Sequence, residues 1–328
     1  ELNLSKYLNL EKLNLAVDLS DIDISNNTKL KILLFRISSL DISVSHLADL
    51  EELNLILSTE EIDLSANPKL KSVSISAEKL KSIDLSAALQ LESLSLNTKV
   101  PSLDLSNNIK IKHLNISRLY HSDLDDMDNK QPILLGNVNL PDVVSLETLN
   151  AIIANPTEVL RHTELKNLYV NFVEAPEQFD LSQQLDLEKL RIRNTGHINI
   201  EQNLKLKELY IYQASLEELN LENHLSLETI WLENVSLTAN EFTLTELPYV
   251  QLVYINIMDI NNGVFEVSHL PFLETLRVYS MDFSNLVMSD LDNIGSSEVI
   301  QTAPLACENM LVDENIKKVS LAIVYCEE

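Results

Sequence analysis

The sequence predicts a mainly β solenoid, in which short turns of chain stack on one another. Three observations point to this class. Phrases of the form L-x-x-L-x-L recur about every 20 residues, a second extended phrase lies between them, and Asn- or Pro-containing turns separate the two. Self-similarity at such a period is the signature of repeat architectures, so we expect about 13–14 turns, each with two short strands or one strand and a 3₁₀ segment.

The first phrase occupies two long stretches of the chain. It begins at Leu10, Leu30, Leu50, Leu70, Leu91 and Ile111, and again at Leu165, Leu187, Leu206, Leu227, Val250 and Leu273. Strict alternation of apolar and polar residues places the apolar side chains on one face, which predicts a strand. A period near 20 residues leaves no room for a full helix beside two strands and their turns.

The second phrase alternates in the same way and carries a column of aspartates. It is best seen at Ile22, Ile62, Ile83 and Leu103, and the column is Asp23, Asp41, Asp63, Asp84 and Asp104. Like charges about 4.8 Å apart in water repel by only about 0.9 kcal/mol, and nearby lysines offset this repulsion. We therefore expect these carboxylates to accept hydrogen bonds from turn amides rather than to bind calcium.

Together the phrases resemble the leucine-rich-repeat family, in particular the short L-x-x-L-D-[LIV]-S-x-N repeat of bacterial cell-surface and secreted proteins. The resemblance covers residues 2–118 and 164–280, and it implies a leucine-rich-repeat solenoid that acts as a binding scaffold. The sequence departs from the family at Glu78 and Lys99, which replace the asparagine expected three residues after L-x-L. One buried asparagine ladder is therefore expected to be missing, and the phrase that lines the concave side stays open.

We expect one solenoid over residues 1–328, because a turn without neighbours would leave its core open. Regular repeats fill 1–118 and 164–280, an irregular insertion spans 119–163, and a C-terminal cap spans 281–328. Residues 316–325 are expected to form a closing strand over the last turn.

Within the insertion, residues 142–154 are expected to form a helix. Asp142 is a suitable N-cap, the apolar residues from Val143 to Ile153 have helical spacing, and Asn155-Pro156 would end the helix. The alternative is that the segment starting at Leu146 is another repeat phrase.

Composition restricts the class of partner. A chain of 328 residues that is 45% hydrophobic is a folded protein, and its formal charge of −26 disfavours nucleic acid and anionic membranes. Its apolar runs are far shorter than the roughly 20 residues that span a bilayer, so we expect no membrane insertion.

The expected location is extracellular or at the cell surface, with the cytoplasm as the alternative. No leader precedes Glu1, and Leu2-Asn3-Leu4-Ser5 already reads as repeat sequence, so we expect the native chain to extend further towards its N-terminus. Cys307 and Cys326 lie about one turn apart and could form a disulfide or remain two buried thiols.

A candidate binding surface emerges from the outward residue at the centre of each first phrase. In the first half this column is Asn14, Leu34, Asn54, Ser74, Ser95 and Asn115. In the second half it is Tyr169, Arg191, Tyr210, Trp231, Tyr254 and Arg277, flanked by Arg193, Tyr212 and Tyr279. We call these nine residues the aromatic–arginine strip. Six turns make it roughly 25 Å long.

The strip predicts a ligand-binding site, since Trp, Tyr and Arg are the residue types enriched at binding hot spots. The ligand could be a protein or a carbohydrate. Two other interpretations stay open: the rings could simply stabilise the sheet through cross-strand pairs, or they could pack against a second copy in a homodimer or larger assembly.

Catalytic and cofactor signatures are absent from the sequence. With four glycines there is no phosphate-binding loop or dinucleotide fingerprint, and the two cysteines and seven histidines form no known metal spacing. The acidic cluster at 123–129 lacks the glycine and distal glutamate of an EF-hand loop. A β-helix polysaccharide-active enzyme would need a cationic cleft, which the charge disfavours. We therefore expect no enzyme, no cofactor and no metal.

Overall fold

The computed structural model describes most of the repeat region and parts of the C-terminal region. The described residues are 2–16, 22–36, 42–116, 134–141, 146–239, 241–259, 263–280, 285–291, 294, 296–301, 310–312 and 319–323. The chain divides into two units, Glu1–Ala154 and Asn155–Glu328, each of which is described by itself. The expectation of one continuous stack stays a prediction.

Unit 1 consists of short parallel strands joined by tight turns. Its strands are β1 (Leu2–Asn3), β2 (Lys12–Leu15), β3 (Ile22–Asp23), β4 (Ile32–Arg36), β5 (Glu52–Ile56), β6 (Ser72–Ala77), β7 (Ser93–Thr98), β8 (Leu103–Asp104), β9 (His113–Asn115), β10 (Val138–Asn139) and β11 (Thr148–Ile153). The first phrase forms the main sheet in the order β2-β4-β5-β6-β7-β9-β11. The second phrase forms the small pairs β1-β3 and β8-β10, and a 3₁₀ turn spans Leu135–Asn137.

Unit 2 has the same architecture with longer strands. Its elements are α1 (Thr157–Leu160), β12 (Asn167–Phe172), β13 (Gln178–Asp180), β14 (Lys189–Thr195), β15 (His197–Asn199), β16 (Glu208–Leu216), β17 (Thr229–Leu237), β18 (Glu241–Thr245), β19 (Leu252–Asp259), β20 (Val264–Ser268), β21 (Thr275–Ser280), β22 (Asn285–Ser289), β23 (Ser296–Gln301), β24 (Met310–Val312) and β25 (Val319–Ile323). The main sheet runs β12-β14-β16-β17-β19-β21-β23-β25, and the second side carries β13-β15 and β18-β20-β22-β24. The predicted β solenoid is confirmed, and its strands pair in parallel.

The core lies between the main sheet and the second side of each turn. In β5, Leu53 and Leu55 are fully buried while Asn54 between them is half-exposed, and β6 and β7 repeat this alternation. Burial of a leucine side chain stabilises a fold by about 1.5–3 kcal/mol. Each turn buries at least two strand residues in this way, and the contribution repeats along the stack. The alternation of apolar and polar residues in the sequence therefore predicts the fold.

Buried polar side chains on several turns, which we call the ladder, each bind their turn to the one before it; in unit 1 its asparagines alternate with Leu47 and Ala88 at the equivalent position. The Nδ2 of Asn67 donates to the Val44 and Leu47 carbonyls of the preceding turn, at 2.9 and 2.8 Å. Asn27, Asn108 and Asn203 make equivalent pairs of bonds, Gln184 takes the same place in its turn, and His46 and His224 each bond one carbonyl of the turn before. The ladder follows the second phrase, whereas Glu78 and Lys99 are exposed. The asparagine ladder that the first phrase lacks is thus supplied by the second.

The aspartate column forms turns, as predicted. A side-chain oxygen of Asp23, Asp63, Asp84 and Asp104 accepts the backbone N–H two residues later at 2.9–3.0 Å. Hydrogen bonds from the following serine hold the pKa of each of these carboxyls below its usual value. Asp180, Asn199 and Asn220 close the same turn in unit 2. Asp41 lies outside the described residues.

An alternating column of charge runs up unit 1, just before the strands of the main sheet. Its members, in order, are Glu11, Lys31, Glu51, Lys71, Glu92, Lys112 and Glu147. Each backbone N–H donates to the carbonyl of the previous member at 2.8–2.9 Å. Side-chain ion pairs join Lys31 to Glu11, Lys71 to Glu51 and Lys112 to Glu147 at 3.0, 2.6 and 2.9 Å. Neighbouring turns therefore differ in sign, and like charges are two turns apart.

The helix expected at 142–154 is wrong for its described part. Residues 148–153 form strand β11, which pairs in parallel register with β9, so the alternative of another repeat phrase is correct. The sequence of this segment fits a helical period as well as the two-residue period of a strand, because Ile152 and Ile153 are consecutive apolar residues, and both are buried. The neighbouring β9 decides the outcome, since pairing with it satisfies the backbone of the segment. The described helix α1, residues 157–160, begins after the expected proline stop.

Beyond residue 280 the repeat continues where a cap was expected. Strands β22 and β24 extend the second side, and β23 and β25 extend the main sheet, each in parallel register with its neighbour. Val319–Ile323 lies within the expected closing strand and is last in the order of the described strands. These turns were not predicted because their sequences depart from the L-x-x-L-x-L pattern. Cys307, Cys326 and the acidic cluster at 123–129 lie outside the described residues.

Replacing Asn108 by alanine should destabilise unit 1 by about 1–3 kcal/mol. The substitution removes two hydrogen bonds to buried carbonyls, each with a net value of about 0.5–1.5 kcal/mol. The adjacent Asn107 is exposed and serves as the matched control, so Asn107→Ala should change stability by less than about 0.5 kcal/mol. Chemical denaturation followed by circular dichroism measures both, and equal stability of the two variants would show that the ladder does not hold the turns.

Candidate ligand-binding strip

The central column of the strip lies in strict register on the main sheet of unit 2. The Cα partners on neighbouring strands are Tyr169 with Arg191, Arg191 with Tyr210, Tyr210 with Trp231, Trp231 with Tyr254, and Tyr254 with Arg277. Residues of this column alternate along each strand with buried core residues, so all six face outwards. The structure thus brings together the residues that the sequence predicted.

A flanking column lies two residues further along each strand and therefore on the same face. It pairs Arg193 with Tyr212 and ends at Tyr279, with Glu233 and Asn256 between them. In unit 1 the predicted column is also in register, but it consists of Asn14, Leu34, Asn54, Ser74, Ser95 and Asn115. Both units share the backbone arrangement, and of the two central columns only that of unit 2 carries aromatic and guanidinium groups.

Ring stacking along the sheet sets the orientation of the aromatic side chains. Trp231 and Tyr254 stack with ring centroids 4.0 Å apart and an interplanar angle of 12°. Tyr210 lies 6.5 Å from Trp231, Tyr279 lies 5.7 Å from Tyr254, and the Arg191 Cζ lies 4.9 Å from the centre of the Tyr212 ring. The ring faces of Trp231 and Tyr254 are therefore directed at each other along the sheet.

Polar contacts hold the strip at its borders. The Trp231 indole N–H donates to Glu233 Oε2 at 2.9 Å, and Arg193 Nε donates to Gln213 Oε1 at 2.8 Å. Lys189 and Glu208 form an ion pair of 2.5 Å at the beginning of the strands. These bonds limit the rotamers of the side chains that they join, so part of the strip is ordered before any ligand arrives.

One aligned feature beside the strip was not predicted. Asn194, Gln213 and Asn234 have positive φ values of 58°, 50° and 56°, at the end of the strip on three successive turns. The Asn194 Nδ2 donates to the Phe172 carbonyl at 2.9 Å. Asparagine tolerates this left-handed conformation better than most residues, and Asn at two of the three positions was the sequence signal that could have located it.

Burial raises the pKa of several strip tyrosines. Loss of solvation is the largest cause for Tyr169, Tyr210, Tyr212 and Tyr254, and Glu208 or Glu233 adds to it. Their hydroxyl groups therefore stay neutral and keep a proton to donate throughout the neutral pH range. Nearby arginines work in the opposite direction but do not overcome the effect of burial.

Other kinds of site find no support in the described part of the chain. No group of three or more His, Cys, Asp or Glu side chains there is placed to hold a metal ion. Among the same residues, no helix has the length and apolar character needed to cross a membrane.

The fold and ladder define a class, the leucine-rich-repeat solenoids, and solved structures of that class are similar. The sequence matches no protein-family model and no curated protein. The functional domain of InlJ from Listeria monocytogenes aligns with a TM-score of 0.53 and 19% identity, over 92% of this chain and 66% of that domain. A leucine-rich-repeat protein of Leptospira interrogans aligns with a TM-score of 0.50 and 20% identity, over 72% of this chain and 69% of that one.

These likenesses show the leucine-rich-repeat fold. The InlJ domain includes a cysteine ladder. In this chain the described positions equivalent to Asn67 hold Asn, Gln or His on some turns and Leu or Ala on others, namely Leu47, Ala88, Leu247 and Leu270. This chain also spans only 66% of the length of the InlJ domain. The predicted fold class and the resemblance to bacterial leucine-rich-repeat proteins are confirmed.

An alkaline titration should separate the strip tyrosines from those of the unfolded chain. Because the folded-state pKa of Tyr210 and Tyr254 lies above the ordinary value of about 10, burial of their neutral form stabilises the fold below about pH 10. That contribution is lost as the pH rises through the folded-state pKa. Ultraviolet absorbance of tyrosinate should show a late component that Tyr210→Phe with Tyr254→Phe reduces, the remainder belonging to Tyr169 and Tyr212, whose pKa is also raised. A single transition at the pKa of the denatured chain would contradict the raised values.

Proposed function

We propose that the protein is a non-catalytic binding scaffold that recognises a protein ligand along the aromatic–arginine strip of unit 2. The main support for this proposal is the in-register column of Tyr, Arg and Trp in unit 2. The equivalent column of unit 1 consists mainly of Asn and Ser. The leucine-rich-repeat fold supports a scaffold, and the residue types support recognition at this face.

Stabilisation of the sheet is the competing explanation for the strip. Cross-strand aromatic pairs contribute about 0.2–1 kcal/mol each, and this benefit would be equally available in unit 1. The equivalent positions there are Asn54, Ser74 and Ser95, and their strands pair in the same register. Stacking of turns therefore does not require aromatic side chains, which favours a role for the strip outside the fold.

The orientation of the rings favours a polypeptide over a carbohydrate. Sugars bind best against an open aromatic face, but Tyr254 covers one face of Trp231 and Tyr210 lies beyond the other. The Arg277 side chain is exposed, and the tyrosines of the strip are half-exposed. These groups suit apolar side chains, backbone carbonyls and carboxylates of a peptide.

We place the scaffold outside the cell or at the cell surface. The support is the resemblance of its repeats to those of bacterial surface and secreted proteins. The described residues contribute no membrane-crossing helix, so a surface position would need a tether elsewhere or secretion of the whole protein.

The test is selection of peptides from a displayed random library against the whole chain, followed by binding measurements on the selected peptides. Simultaneous Tyr210→Ala, Trp231→Ala and Tyr254→Ala should weaken peptide binding by at least about tenfold, because hot-spot residues typically contribute 2 kcal/mol or more each. The matched control is Asn54→Ala, Ser74→Ala and Ser95→Ala on the same column of unit 1, which should bind as the wild type does.

Circular dichroism must show that both triple variants are folded. Undiminished binding by the strip variant would remove the strip as the site. An array of carbohydrates serves as a second arm, and strip-dependent capture of a glycan without any peptide would overturn the choice of ligand. Light scattering tests self-assembly. A homodimer that Trp231→Ala abolishes would show that the strip binds a second copy of the chain and would overturn the proposed ligand.

A further inference from the structure

A second surface of unit 2 has exposed apolar residues on five consecutive turns. We call it the apolar ridge: Leu185, Leu204, Leu225, Tyr249 and Phe272, which are 57, 47, 52, 58 and 54% exposed. Each residue occupies a β-turn that precedes a main-sheet strand, and the turn is closed by a backbone hydrogen bond such as Leu187 N–H to the Gln184 carbonyl. At about 4.8 Å per turn, the ridge is roughly 19 Å long.

Turn chemistry does not account for these residues. The two central positions of a β-turn favour Pro, Asn, Asp, Ser and Gly, each for a local conformational reason. Pro248 and Pro271 follow that rule, but leucine at the same position in three earlier turns has no conformational advantage. Leu185, Leu204 and Leu225 occupy the same turn position on three consecutive turns, and Tyr249 and Phe272 lie one position later in the next two. Apolar side chains left in water on consecutive turns are a feature of interaction surfaces.

An acidic groove adjoins the ridge. Its volume is about 530 Å³, its wall includes Leu225 of the ridge, and its carboxylates are Glu218, Glu222, Glu241 and Glu246. None of its lining residues, all in the described part of the chain, is basic. Lys205, which lies in one of the ridge turns, is already paired with Asp186.

The charge of the whole unit agrees with that of the groove. Residues 155–328 contain 28 Asp and Glu against 10 Lys and Arg, a formal charge of −18. A second copy of this chain would bring the same charge to the contact, and an anionic lipid surface would also be repelled. A partner with basic groups is attracted instead.

We infer that the apolar ridge and the acidic groove form a docking site for a cationic amphipathic segment of another protein. An α-helix of about 13 residues spans the roughly 19 Å of the ridge at 1.5 Å per residue. Its apolar stripe packs on the leucines, and lysine or arginine side chains on its flank enter the groove. The site lies on the turns and not on the strip, so it does not depend on the function proposed for the strip.

The probe is a synthetic helical peptide with leucine at i, i+3, i+4 and i+7 positions and lysine on both flanks. A matched peptide carries glutamate in place of every lysine. Fluorescence anisotropy with the whole wild-type chain should show binding of the lysine peptide only, and this binding should weaken as salt rises because the carboxylates are exposed. Equal binding of both peptides would overturn the cationic partner without requiring any variant of the protein.

Variants then locate the contact. Simultaneous Leu185→Ser, Leu204→Ser and Leu225→Ser should weaken binding of the lysine peptide by at least about tenfold, since each buried leucine contributes substantially. Leu8→Ser, Leu89→Ser and Ile109→Ser change exposed apolar residues in the corresponding turns of unit 1 and should have no effect. The set Glu218→Gln, Glu222→Gln, Glu241→Gln and Glu246→Gln should weaken binding and flatten its salt dependence.

Undiminished binding by the ridge variant, with its circular dichroism unchanged, would overturn the site. A ridge-dependent dimer in light scattering without peptide would overturn the choice of partner in favour of a second copy. The strip variant Tyr210→Ala, Trp231→Ala, Tyr254→Ala should bind the lysine peptide normally, and loss of binding there would assign the peptide to the strip instead.

Discussion

Every column of side chains in this protein exists because each strand pairs in register with the equivalent strand one turn later. Parallel pairing places residue on residue, as between Arg191, Tyr210 and Trp231. A residue type that recurs once per turn of the solenoid therefore forms a column of side chains across the sheet. The core leucines, the amide ladder, the charge column and the strip are all products of this one constraint, and they differ only in the face that they occupy.

The same constraint explains which features the sequence could predict. The strands and the strip follow from a two-residue alternation combined with a period near 20, and the column from Tyr169 to Arg277 was placed in its correct register on that basis alone. The turn-forming aspartates were predictable because their partner is only two residues away. Features that depend on local sequence or on strict periodicity can therefore be predicted from the amino-acid sequence alone.

Features that depend on the neighbouring turn were harder to predict. Residues 148–153 fit a helix as well as a strand when read alone, and pairing with β9 decides between them. The asparagine ladder was expected to be missing after the first phrase, and the bonds made from the second phrase were not predicted, such as those of Asn67 to two carbonyls of the turn before it. The ridge was not recognised because exposed leucines in a turn look, in sequence, like one more apolar residue of the phrase.

The alternating charge column of unit 1 also constrains how the number of turns can change. Loss or gain of a single turn would place two glutamates or two lysines beside each other, as Glu51 and Glu92 would be without Lys71 between them. Loss or gain of two turns leaves the alternation intact. Two turns, about 40 residues, are therefore the smallest change in length that preserves the alternation of charge.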